Sequence, residues 1–241
     1  MAIFFDLDDT LLDDRGAQES YLGDLYSNHR SEIQGTEATF RLAWRRAIDR
    51  HFPRYVKGEI SLTEQRRARV RDAFDRPDMA DAATDLLITE FIAGYEASWR
   101  PLPDALRVLQ QLKKIPLGVV TNGSSEQQFA KIRQTGILDL FTIVVVSEAV
   151  GHAKPSPQIF HHACAGLGVD PMDCTFIGDS WDLDVEGARG AGLQPIWLNR
   201  FDAPIDPVRT QGPRITMLSE IVERDDLRIL ARLDGPARAG P

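Results

Sequence analysis

The chain has 241 residues, 43% of them apolar and 27% charged, with a net charge of −8, and is long enough for one large domain or a core with a smaller companion. It contains no run of about 18 or more apolar residues, and Asp6, Asp8 and Asp9 interrupt any basic-then-apolar leader, so the expectation is a cytoplasmic protein without a membrane partner. The acidic balance argues against nucleic-acid binding, which needs a basic stripe to neutralise phosphates.

In chain order, residues 2–5 are a short apolar run that ends abruptly at Asp6, the pattern of a buried strand. Asp6-Leu7-Asp8-Asp9-Thr10-Leu11 follows. In extended chain, residues two apart face the same side, so Asp6 and Asp8 can approach one point. Two close carboxylates repel unless a cation or a proton intervenes. Magnesium, a hard ion that favours oxygen ligands and retains waters while bridging to phosphate, suits such a pair. The other reading is that both acids cap the following turn.

Residues 15–100 show helical spacing and no convincing strand. Phe40, Trp44, Ile48 and Phe52 recur every four residues, and Ile88, Ile92, Tyr95 and Trp99 recur at i, i+4, i+7 and i+11, both read as core stripes. This segment carries 14 Lys or Arg and 14 Asp or Glu, leaving 14 against 22 for the rest, so the carboxylate excess lies outside it. Arg41, Arg45, Arg46, Arg50 and Arg54 could meet an anionic substrate, although Arg41, Arg45 and Asp49 also fit a solvated face with i, i+4 pairing. The segment reads as a helical insertion, entered near residues 12–16 and left through Trp99-Arg100-Pro101-Leu102-Pro103.

Further apolar runs follow at 117–120, 143–146, 175–177 and 195–198; the first three lead into polar turns, Thr121-Asn122-Gly123, Ser147-Glu148 and Gly178-Asp179, and then into helix-like stretches. Strands alternating with helices predict a parallel sheet covered on both faces, a doubly wound, Rossmann-like α/β core. Ligands of such sheets bind beyond the carboxyl ends of the strands, where Asp6, Thr121 and Asp179 all fall. The expected division is a core of residues 1–14 and 101–232, an inserted domain of 15–100, and a disordered Gly/Pro-rich tail at 233–241. Cys164 and Cys174 lack any zinc or disulfide spacing and read as small buried residues. The adjacent His161 and His162 would point about 100° apart on a helix, too far to share a metal.

Four motifs together resemble the haloacid dehalogenase superfamily. The first, Asp-x-Asp-x-Thr, matches Asp6, Asp8 and Thr10, with Asp9 where many members have glycine. The second ends a strand at Thr121-Asn122-Gly123-Ser124, the third is Lys154 before Pro155, and the fourth is Gly178-Asp179 continued to Asp184. The resemblance covers the core from residue 2 to about 198, and the insertion resembles the first cap class of that superfamily. It implies that Asp6 is the nucleophile, that Asp8 protonates the leaving oxygen and then serves as base, and that Thr121, with backbone N–H groups around Asn122, holds a phosphate oxygen. It also implies that Lys154 screens charge, that magnesium is held by Asp6, the backbone carbonyl of Asp8 and Asp179, and that Thr10 and Asp184 support the site. Asp182 reads instead as a helix N-terminal acid.

The function expected from this resemblance is a magnesium-dependent phosphatase acting on a small phosphorylated metabolite of the sugar phosphate, phosphoglycolate or nucleotide type, through an aspartyl-phosphate. Dehalogenases of the superfamily lack the second aspartate of the first motif, so Asp8 points to phosphate chemistry. Lys57, the one lysine of the insertion, has no evident role in phosphonate cleavage. A phosphomutase using the same intermediate and a non-catalytic regulatory protein keeping the fold are the alternatives; fold alone does not establish activity. The sequence sets no oligomeric state.

Overall fold

The structure, a computed structural model, describes residues 1–204 and 212–224. It divides into two compact units, one of Met1–Leu12 and Pro101–Pro241, the other of Asp13–Arg100. The expected tail at 233–241 and the end of the expected core lie outside the described residues. The first boundary falls two residues before the expected one because Asp13 belongs to the helix it starts: its Oδ1 accepts from Gly16 N at 2.9 Å. Asp13 also closes the insertion on itself, donating its N–H to Arg100 O (3.1 Å) and accepting from Arg100 Nη2 (2.6 Å).

The helices are α1 (Asp14–Asn28), α2 (Glu37–Val56), α3 (Leu62–Ala73) and α4 (Asp81–Ala97) in the insertion. Those of the first unit are α5 (Ala105–Gln111), α6 (Ser125–Gln134), α7 (Ser147–Val150), α8 (Pro157–Leu167), α9 (Glu186–Gly190) and α10 (Glu220–Glu223). Within the insertion, Phe40 meets Phe74 edge-on at 5.4 Å between ring centroids, and Trp44 lies 4.5 Å from Phe91. The expected stripe of every fourth residue drifts: α2 buries Phe40, Trp44, Ala47 and His51, while Ile48 and Phe52 are half-buried. A four-residue step overshoots a 3.6-residue turn by about 40°, so the buried line must shorten a step to stay on one face. The arginines of α2 are largely spent on acids from other elements. Arg41 and Arg45 both hold Glu19 of α1, at 2.7 and 2.6 Å, and Arg50 reaches Asp72 of α3 at 2.7 Å.

The first unit is a six-stranded sheet of β1 (Ala2–Phe5), β2 (Leu117–Thr121), β3 (Ile143–Val146), β4 (Cys174–Gly178), β5 (Gln194–Leu198) and β6 (Arg214–Ile215). Its order is β3-β2-β1-β4-β5-β6, with every pairing parallel. This is the doubly wound core expected from the alternation of runs. The two-residue β6 is too short to leave a pattern in the sequence. Alternation along β1 fills both faces: Ile3 and Phe5 pack with Val108 and Leu109 of α5 and Ile132 of α6, while Ala2 and Phe4 pack with Phe160 and Ala163 of α8 and Ala188 of α9. A strand covered on both sides reads as a continuous apolar run, which is why β1 to β4 were legible. Cys164 and Cys174 are buried thiols whose sulfurs lie 3.9 Å apart.

The winding reverses between β1 and β4, the place where an open α/β sheet forms a crevice beyond its strand ends. Among the described residues, no helix is long and apolar enough to cross a membrane. Phe176, fully buried on β4 and packed edge-on against Phe160 at 5.0 Å, is the test of this core: Phe176→Ala should lose about 3–5 kcal/mol in urea unfolding, whereas Glu19→Ala, which cuts part-exposed ion pairs of the insertion, should lose no more than about 1 kcal/mol.

Candidate active site

Asp6 is the first residue past β1, and Asp179 the first past β4; because β1 and β4 are hydrogen-bonded neighbours, with Asp6 N donating to Ile177 O at 2.9 Å, the two acids emerge side by side. Thr121 closes β2 on the other flank of β1. Asp184 reaches the same point from the π-helical turn Trp181–Val185. Carboxylate oxygens of Asp6, Asp179 and Asp184 lie within 4.8 Å of one another.

Lys154 is the cation among them. It is 2% exposed, and its Nζ donates to Asp6 Oδ1 at 2.5 Å and Asp184 Oδ1 at 2.7 Å. Asn122 fixes its backbone from both sides, donating from Nδ2 to Lys154 O (3.0 Å) and accepting at Oδ1 from Lys154 N (2.8 Å). The side chain of Asn122 is therefore committed to placing the lysine, which leaves its backbone N–H, the group expected near a phosphate, to meet an anion. Asp184 is equally tied: its Oδ2 accepts from Ser180 N at 2.9 Å. A Cβ at Gly178 would stand 2.3 Å from that oxygen, so only glycine lets the acid fold back under the strand end. The loop carrying Asp179 is anchored by Trp197, whose Nε1 donates to Asp179 O at 2.9 Å and whose ring meets Trp181 edge-on.

Asp8 goes elsewhere. The chain leaves the extended form at Leu7, whose carbonyl accepts from both Leu11 N and Leu12 N (2.9 and 3.0 Å). The Asp8 carboxylate then pairs with Lys131 (2.6 Å) and accepts from Gln128 (3.0 Å) rather than joining the cluster around Lys154. Asp9 turns the chain with φ +58°, the left-handed region that glycine enters without strain and aspartate tolerates. Thr10 is buried, and its hydroxyl meets no partner among the described residues. Thr121, 1% exposed, accepts at Oγ1 from Gln128 Nε2 at 2.6 Å. Since a hydroxyl has one proton to give, that bond leaves it aimed away from Gln128. The N-terminus of α6 is capped within the chain: Ser125 N donates to Glu148 Oε2 (2.8 Å) and Gln127 N to Ser124 Oγ (3.4 Å). Asp182 is exposed in the first turn after Ser180. Sequence reading passed over Gln128 and Lys131, which look like ordinary surface residues of α6; their spacing of three on the helix was the available signal.

The electrostatics mark a site short of positive charge. Burial pushes the Asp6 carboxyl up to about 6, with the charge of Asp184 adding to the rise and Lys154 opposing it. Asp179 is raised well above the carboxylate range by burial, then by Asp6, Asp184 and Asp9, and no hydrogen-bond donor among the described residues reaches its carboxylate. Burial also works against the Lys154 ammonium, but Asp184 and Asp6 outweigh it and raise its pKa. Three carboxylates around one ammonium, all at oxygen-ligand spacing, fit a hard divalent cation. Asp6 and Asp179 would hold it, because both oxygens of Asp184 are already engaged.

A family description for haloacid dehalogenase-like hydrolases matches residues 1–192. The chain belongs to the haloacid dehalogenase-like hydrolase family. A phosphoserine phosphatase of Thermus thermophilus is 30% identical to this hydrolase over 91% of the present chain and 96% of its own. A glyceraldehyde 3-phosphate phosphatase of Methanopyrus kandleri is 35% identical over 50% of the present chain, which spans 54% of that relative. Among solved structures, a Bacillus subtilis hydrolase of this family, YfnB, described as bound to magnesium, superposes with a TM-score of 0.80 at 25% identity over 95% of this chain and 98% of its own.

The raised carboxyls set a pH signature for this hydrolase. From about pH 4 to about pH 6 the native state holds a proton on Asp6 that the unfolded chain, with its ordinary value of 3.8, has released, so raising the pH across that window costs stability. In chelator, the melting temperature of Asp6→Asn should therefore gain on wild type as the pH rises through the window, and a saturating divalent cation should shrink the difference. A difference independent of pH would show that Asp6 is not held in its acid form by burial.

Proposed function

We propose that the protein is a magnesium-dependent phosphatase that hydrolyses small phosphate monoesters through an aspartyl-phosphate on Asp6. The observation that carries this reading is the Asp6–Lys154 contact at 2.5 Å inside the acid cluster, with a second aspartate two residues on, held apart from that cluster by its own partners. Relatives that are phosphatases for phosphoserine and glyceraldehyde 3-phosphate support it. The substrate class is a small phosphorylated metabolite.

An Asp6 carboxylate oxygen attacks phosphorus in line with the leaving oxygen; as the P–O bond to that oxygen breaks, Asp8 gives it a proton, and the phosphoryl group is left on Asp6. Asp8, now a carboxylate, takes a proton from water as that water attacks the same phosphorus and frees phosphate. One residue thus serves as acid and then base. Lys154 keeps the nucleophile ionised and offsets charge gathering on the phosphoryl oxygens, and the Thr121 hydroxyl donates a hydrogen bond to one of them. Magnesium, when bound by Asp6, the carbonyl of Asp8 and Asp179, supplies the remaining positive charge for a dianionic group. The insertion, Asp13–Arg100, is assigned the role of a cap that selects substrates.

Asp8 favours this reading over dehalogenation, since a halide leaves without a proton and an alkoxide does not. Steady-state phosphate release from an aryl phosphate and a panel of metabolite phosphates should require magnesium. It should fall to background in Asp6→Asn and by about 10²–10⁴-fold in Asp8→Asn. A phosphate mimic such as beryllofluoride should bind wild type with magnesium and not Asp6→Asn. Full turnover by Asp6→Asn would end the proposal, and formation of a phosphate isomer in place of free phosphate would mark a mutase.

A further inference from the structure

We propose that Gln128 and Lys131 are positioning residues that fix the Asp8 carboxylate for proton transfer and tie it to the phosphate-binding Thr121; the inference rests on the phosphatase reading above. Both side chains sit on α6 three residues apart, hence on one face of the helix. That face is turned inward: Gln128 is 2% and Lys131 3% exposed, beside the core residue Ile132. An ammonium and an amide taken out of water need strong partners to be tolerated there. The partners are functional groups. Lys131 Nζ donates to Asp8 Oδ1 at 2.6 Å, and Gln128 Nε2 lies 3.0 Å from Asp8 Oδ2 and 2.6 Å from Thr121 Oγ1. One amide thus touches both the acid that protonates the leaving group and the hydroxyl that holds the phosphoryl oxygen.

The sequence makes room for this clamp. Gly123 has φ +148°, and a Cβ there would crowd the Gln128 side chain at 3.1 Å, so the turn after β2 is shaped around the amide as well as around a ligand. Asp8 itself is on an irregular turn with its side chain partly open to solvent, and the turn alone leaves its χ angles to be settled by partners. Two donors from a rigid helix, one on each oxygen, settle them. Lys131 thereby orients Asp8, as Lys154 orients Asp6 from a different element.

A clamp on the general acid has a consequence that a merely structural role lacks: its loss should matter in proportion to how badly the leaving group needs a proton. First-turnover rates, read by rapid quench with magnesium, compare glycerol phosphate, whose alkoxide leaves poorly, with p-nitrophenyl phosphate, whose phenolate leaves unaided. For Lys131→Met the expected loss is about 10²-fold or more on glycerol phosphate and less than about 10-fold on p-nitrophenyl phosphate, with KM little changed and Lys131→Arg restoring most of the rate. Gln128→Met, which strands no charge, should show the same ordering with a smaller loss on glycerol phosphate and a raised KM for both esters, through Thr121; it also serves if Lys131→Met does not fold. Equal losses on the two esters, or no loss in either variant, would overturn the inference. Wild type without magnesium-dependent turnover on either ester would instead bring down the phosphatase reading on which it rests.

Discussion

The ammonium of Lys154, buried between Asp6 and Asp184, is the contact on which the rest of the site depends. Removing an ammonium from water costs several kcal/mol, and only close, well-directed carboxylates make such burial tolerable. The surrounding structure supplies that direction piece by piece: Asn122 clasps the lysine backbone, Gly178 leaves space for Asp184, Ser180 orients that acid, and Trp197 holds the carbonyl of Asp179. They come from the carboxyl ends of β2, β4 and β5 or the turns after them. The site is therefore as rigid as the sheet edge that carries it.

One ammonium does not balance three carboxylates. Asp6 and Asp179 answer by binding protons more tightly than exposed acids do, which is the response of a cluster short of cationic charge. A site in that condition can hold a divalent cation and, with the cation in place, admit a phosphate dianion that the bare cluster would repel.

Asp6 and Asp8, two residues apart, receive different lysines. Lys154 comes from the loop after β3 and α7, Lys131 from α6. Separate partners give two chemically identical side chains different surroundings, Asp6 within the acid cluster and Asp8 outside it, as the proposed division into nucleophile and proton carrier requires. In extended chain the two would share a face; the turn bonds accepted by Leu7 are what separate them.

The sequence alone determined the doubly wound sheet, because strands covered on both faces must be apolar throughout and their polar ends must be where the chain emerges into solvent. It also singled out Asp6, Thr121, Lys154 and Asp179 as candidates, since they stand beside those strand ends in a spacing that resembles one family. Tertiary structure decided what periodicity cannot express. It committed Asn122 to Lys154, capped α6 with Glu148, moved the Asp8 side chain onto Lys131 and Gln128, and replaced Ile48 and Phe52 by Ala47 and His51 in the buried line of α2. These outcomes depend on which side chains from distant parts of the chain meet in space, and a buried lysine on an otherwise polar helix looks solvated until its partner, more than a hundred residues away, is placed beside it.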